Sequence, residues 1–289
     1  MSLVELVQVR TADGVRLDGA LAAPKSGGLE RKPSADAVLA IHGTGSNFYS
    51  GAVFEGLAPK LLADGMAVLR LNTRGHDVIS TAATLAGPRR LGSSLEQVDD
   101  CRHDLAAGLE FLASRGYRSV ALVGHSLGAI KAVHFAAHVT HPGVKRLVAI
   151  SPPRLSYSYY LESERRGEFK SHYDTAREHI AAARPETLIE IRTPLSFLVS
   201  AASFVDKYGP DEKYNILRQI GGISVPTLFV FGGIELQEVN FRGLPEAIGA
   251  AATPGQNVRV VTIAGANHIY TGQIEELAYK LRAWLAGAG

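Results

Sequence analysis

One serine in this sequence is placed to act as a nucleophile. Ser126 stands at the centre of Gly124-His125-Ser126-Leu127-Gly128. The apolar run Val120 to Val123 precedes it, and the small-residue stretch Ala129 to Ala137 follows. That order predicts a strand, a sharp turn and a helix, with the serine at the apex. A turn this tight forces the serine into a strained backbone conformation, and side chains at Gly124 or Gly128 would collide with the neighbouring helix or strand.

A serine hydroxyl is a weak nucleophile at neutral pH. It needs a base to take its proton, an acid to orient that base, and donors for the developing oxyanion. The candidate base is His268, in the small-residue loop Ala264 to His268 that follows the apolar run Val258 to Ile263. An imidazole titrates near neutrality, as reversible proton transfer requires. The candidate acid is Glu235, just beyond Thr227 to Phe231 and Gly232-Gly233, with Glu238 close enough to compete. A carboxylate there would hold the imidazole in one tautomer and stabilise its charged form. For the oxyanion, the candidate is His42-Gly43-Thr44-Gly45, after Ala37 to Ile41. The amides of Thr44 and Leu127 would be the two donors. Leu127 also opens a helix, whose positive end favours an anion.

These residues need a scaffold, and the chain predicts one. Val4 to Val9 and Val15 to Ala22 read as strands joined by a hairpin turn at Asp13-Gly14. Gly27 to Ser34 reads as a loop. Further strands are predicted at Ala37 to Ile41, Ala67 to Leu71, Val120 to Val123, Arg146 to Ile150, Thr227 to Phe231 and Val258 to Ile263. Helical spacing marks Phe54 to Leu62, Leu105 to Leu112, the stretch after Ser126, a weak helix at Leu244 to Ala251, and Ile274 to Leu285. A long loop separates Leu71 from the Leu105 helix. Alternating strands and helices predict an α/β fold, a mostly parallel doubly wound sheet covered on both faces. Ligands of such sheets bind beyond the carboxyl ends of the strands, where every candidate above lies.

The alternation breaks once. Residues 1–151 and 225–289 form the core in this reading, and 152–224 form a helical lid inserted over the strand ends, with no convincing buried strand. The insertion carries six of the ten tyrosines and three of the ten phenylalanines, with ten basic residues against ten acidic. An aromatic, charge-balanced cover of this kind predicts an apolar site beneath it.

Bulk composition narrows the function classes. The chain has 289 residues, 46% hydrophobic and 20% charged, which is globular composition. Thirty basic against 28 acidic residues give a formal charge of +2, which offers nothing to attract nucleic acid or a membrane surface. The single cysteine, Cys101, cannot form an internal disulfide and has acidic neighbours that disfavour a thiolate. With no leader-like or bilayer-length apolar segment, the expected setting is cytoplasmic. His134 and His138 stand i, i+4, a spacing that can bind zinc, but without a third ligand they read as helix-surface histidines. No dinucleotide or Walker motif is present, and the expectation is no metal and no cofactor.

The order Ser126, Glu235, His268 resembles the Ser…Asp/Glu…His order of the α/β-hydrolase fold. So do His42-Gly43 after the third strand, Asn72-Thr-Arg74-Gly75-His76 after the fourth, and Pro226 to Gly232 before the acid. The likeness covers nearly the whole chain outside the insertion and is specific for fold rather than substrate. Glu235 departs from the usual Asp, and Asn72 stands where Asp is common, a change that bears on loop structure. The resemblance implies a serine hydrolase of the esterase-like kind, acting on a small-molecule ester, thioester or amide through a Ser-His-Glu triad. Acyl transfer, carbon–carbon hydrolysis, a lyase reaction, or a sensor that binds without turnover are the competing readings.

Overall fold

The structure, a computed structural model, describes residues 4–24 and 34–287. The loop predicted at 27–34 falls almost wholly outside them. An eight-stranded sheet forms the centre, built from β1 (Glu5–Arg10), β2 (Arg16–Ala22), β3 (Ala37–Ile41), β4 (Ala67–Leu71), β7 (Val120–His125), β8 (Val144–Ile150), β11 (Thr227–Gly232) and β12 (Val258–Ile263). Their order is β1-β2-β4-β3-β7-β8-β11-β12. Only β2 runs against its neighbours; β4 to β12 are parallel.

The inner strands are apolar at nearly every position because both faces are covered. In β3, Val38 and Ala40 face one side, against α1 (Ala52–Ala63) and α9 (Ile274–Leu285). Ala37, Leu39 and Ile41 face the other, against α2 (Cys101–Ser114) and α3 (Leu127–His138), while α8 (Leu244–Ala251) covers the same core at β12. The alternation of side chains along a strand thus divides one sheet between two cores.

The sequence expectations need correction at three places. The long loop after β4 contains a hairpin, β5 (Ser80–Thr84) with β6 (Gly87–Leu91). The inserted segment holds α4 (Tyr157–Glu162), α5 (Arg166–Ala181), α6 (Ala201–Tyr208) and α7 (Ile216–Gln219), but also a second hairpin, β9 (Leu188–Ile191) with β10 (Phe197–Ser200). Ile189, Ile191 and Val199 of that hairpin are buried, so the segment does contain buried strands. His134 is not a surface histidine. It is buried, with the Gln219 amide donating to its Nδ1 at 2.8 Å and its Nε2 donating to Asp99 at 2.8 Å.

Candidate active site

The parallel register sets the strand ends side by side: Ile41 beside Gly124, His125 beside Ile150, and Gly232 beside Ile263. Each strand then releases its chain into the same space. Ser126 leaves β7 with φ 57° and ψ −126°, a conformation costly for a residue with a side chain. Its amide is held by the Ile150 carbonyl at 2.9 Å. The flanking glycines are required sterically. A Cβ on Gly124 would lie 2.2 Å from the Gly128 carbonyl oxygen, and one on Gly128 would lie 2.1 Å from that of Ile41.

Ser126 Oγ donates to His268 Nε2 at 3.0 Å, and His268 Nδ1 donates to Glu235 Oε2 at 2.7 Å. Of the two competing glutamates, Glu235 is the one that reaches the imidazole. It is fully buried, whereas Glu238 is exposed and lies at the edge of a cavity. The other oxygen of Glu235 accepts from the Gly232 amide at 2.7 Å and from Ser151 Oγ at 2.6 Å. Tyr270 in turn donates to Ser151 Oγ at 2.9 Å. Burial and the nearby Glu235 charge push the Tyr270 phenol above its ordinary range, so it remains a donor. Every hydrogen bond in this chain of groups points towards one carboxylate.

His42 is buried and is kept neutral, its pKa lowered to about 3 by burial and by the nearby Lys131 charge. Its Nε2 accepts from the Thr73 amide at 3.0 Å, so Nδ1 carries the proton and donates to the Gly43 carbonyl at 2.9 Å. A trans peptide places its N–H opposite its carbonyl. The Thr44 amide therefore points away from His42. The amides of Thr44 and Leu127 make no hydrogen bond to another described residue.

Residues that the sequence did not single out complete the site. His125 is held neutral, its pKa lowered to about 3 by burial and by the neighbouring His268, and its Nε2 donates to the His268 backbone carbonyl at 2.8 Å. This ties the loop that carries His268 to the strand that leads into Ser126. Ser151 follows β8 directly, and that position after a buried strand was the available signal. Asn72 has the loop role expected, accepting from the Phe48 amide at 2.8 Å. His76 pairs with Asp77 at 2.9 Å.

Two cavities meet at Ser126, Thr44 and His268. One, of about 300 Å³, is bounded on the inserted side by Leu155, Ile191, Phe197, Val199 and Tyr208. The other, of about 360 Å³, is bounded by Ser46, Ser50, Val53, Phe54 and Ile269. Among the described residues no group of three potential ligands could hold a metal ion, and no helix is long and apolar enough to cross a membrane.

Residues 38–278 match the alpha/beta hydrolase family. The chain belongs to that family. No curated protein matches it in sequence. Among solved structures, the alpha/beta hydrolase GrgF from Penicillium sp. sh18 is 15% identical, with 98% of each chain covered and a TM-score of 0.72. Est1E from Butyrivibrio proteoclasticus is 16% identical, covering 98% of this chain and 99% of its own, with a TM-score of 0.64. The Pyrococcus furiosus esterase PF2001 is 20% identical, covering 97% and 89%, with a TM-score of 0.55. At these identities the likeness is one of fold.

Proposed function

We propose that this chain is a serine hydrolase that cleaves a small-to-medium carboxylic ester through an acyl-enzyme. One observation carries the proposal: the unbroken contact from Ser126 Oγ through His268 to the buried Glu235, at 3.0 and 2.7 Å. The esterases among the structural neighbours lend it support.

In this reading Ser126 Oγ attacks the ester carbonyl carbon as His268 Nε2 takes its proton. The tetrahedral oxyanion is held by the Thr44 and Leu127 amides, with the start of α3 adding its dipole. As the intermediate collapses, His268 returns the proton to the leaving alkoxide. Water then attacks the acyl carbon, again giving its proton to His268. Collapse of the second intermediate frees the acid and restores the Ser126 hydroxyl. Glu235 fixes the imidazole tautomer and balances its transient charge. Residues 152–224 serve as the cover of the first cavity, whose apolar wall selects an apolar acyl or alcohol group. Ester is preferred to amide because an alkoxide leaves with less assistance.

Turnover of a panel of p-nitrophenyl esters of increasing chain length tests this reading. Ser126→Ala is expected to lower it by roughly a thousandfold or more. An unchanged rate in that variant would end the proposal. Tight binding without turnover by the unaltered protein would point instead to a sensor.

A further inference from the structure

The cavity bounded by the insertion is apolar along most of its wall, yet three buried polar side chains line it: Lys207, Tyr208 and Asn240. Two of them are engaged. Lys207 Nζ donates to the Ser93 carbonyl at 2.8 Å and pairs with Glu96 at 3.2 Å. Asn240 donates to the Pro194 carbonyl at 2.9 Å and accepts from Tyr160 at 3.0 Å. The Tyr208 hydroxyl makes no hydrogen bond to another described residue, although the side chain is only 5% exposed.

Its ring is held in place. Tyr208 ends α6, whose residues Ala201, Phe204 and Tyr208 form one buried stripe. The ring lies 5.3 Å from that of Phe204 and 6.1 Å from that of Tyr160. Burial pushes the phenol above its ordinary range, which keeps it protonated. The hydroxyl oxygen itself stays accessible from the cavity, where a water molecule or a ligand atom can meet it.

We propose that Tyr208 is a specificity-determining residue. It binds one uncharged oxygen, a ketone or hydroxyl, on the otherwise apolar substrate group that enters this cavity. This deepens the ester-hydrolase reading and rests on it. An anionic group does not suit the cavity, because the Lys207 charge is already paired with Glu96 and the Glu238 carboxylate stands at the rim.

The test is equilibrium binding by calorimetry to the Ser126→Ala protein, which leaves esters intact. Two series are titrated: alkyl esters with a ketone at successive positions of the acyl chain, and alkyl acetates with a ketone at successive positions of the alcohol chain. Each is compared with its unsubstituted parent. At one position in one series the ketone is expected to bind roughly three- to tenfold tighter than the parent. Tyr208→Phe in the same background is expected to bring that ratio to about one without lowering the thermal midpoint, since the hydroxyl has no partner to lose. The proposal is overturned if no ketone in either series, bound or not, outperforms its parent, or if the preference survives Tyr208→Phe. Failure of the hydrolase reading is seen separately, as absent turnover of the same esters by the unaltered protein.

Discussion

Gly43 lies against Ser126 so closely that a Cβ on the glycine would stand 2.9 Å from the serine Cβ and 3.4 Å from its Oγ. The same methyl would lie 3.2 Å from the His125 carbonyl oxygen. The loop that carries the Thr44 amide can approach Ser126 only because this position has no side chain. Gly43→Ala is expected to lower ester turnover by about a hundredfold, by displacing the Thr44 amide from its proposed place as an oxyanion donor. Steady-state kinetics beside a circular dichroism spectrum separates this from unfolding. Full activity in the variant would show that the loop yields without loss.

Glu235 and Glu238 are three residues apart, but one touches the imidazole and the other does not. Glu235→Gln preserves shape while removing the charge, and is expected to lower kcat by about a hundred- to ten-thousandfold. Glu238→Gln is expected to cost far less. Comparable losses in both would remove Glu235 from its assigned place.

Ser151 donates to the Glu235 oxygen that faces away from His268. Ser151→Ala leaves that buried oxygen with the Gly232 amide alone, and Tyr270 without its acceptor at 2.9 Å. The expected outcome is about a tenfold loss in kcat with little change in KM, because the altered contact is behind the imidazole. A loss confined to KM would place Ser151 in substrate binding instead.

Glu96 stands between Lys131 at 2.7 Å and Lys207 at 3.2 Å, with all three side chains buried. Lys131 belongs to the helix after Ser126 and Lys207 to the inserted segment. Glu96→Gln leaves two buried ammonium groups without their shared counter-charge. Urea denaturation is expected to show a loss of about 3 kcal/mol or more. A loss below about 1 kcal/mol would mean that the lysines find other partners.

Stability is expected to fall on acidification, and His42 contributes. In the folded protein its pKa is lowered to about 3, whereas the unfolded chain takes up a proton near pH 6.5. Between those values the unfolded state binds the extra proton. The stabilisation from a neutral His42 is therefore complete above about pH 6.5 and lost progressively towards pH 3, at about 1.4 kcal/mol per tenfold difference in proton affinity. Asp13 acts in the same direction at lower pH, below about pH 4, since the Arg74 hydrogen bonds hold its carboxyl at about 2. Denaturant midpoints measured from pH 7 to pH 4 test this, and a flat profile would contradict it.

The legible parts of the sequence are those where local pattern and buried environment agree. Ala37–Ile41 and Thr227–Gly232 are strands covered on both faces, so their residues are apolar almost without exception. The two glycines around Ser126 mark backbone contact that no side chain could survive. The hairpins were hidden for opposite reasons. Ser80–Thr84 and Gly87–Leu91 are short and largely polar, lying outside the central sheet. Leu188–Ile191 buries Ile189 and Ile191 but exposes Glu190, an alternation too brief to stand out. That second hairpin forms part of the cavity wall, so the unread segment is the one on which the proposed selectivity rests. The burial of His134 and the hydrogen bond from Ser151 to Glu235 arise from residues 85 and 84 positions away, beyond any local signal.

The backbone at Ser126, with φ at 57°, has one more consequence. Glycine tolerates that geometry without strain, so Ser126→Gly relaxes the turn while, under the proposed mechanism, it removes the attacking hydroxyl. Under that mechanism the most durable form of the protein and the working form are different molecules. A screen for heat resistance alone would drift towards an inert fold, and only selection for turnover keeps the serine in its uncomfortable seat.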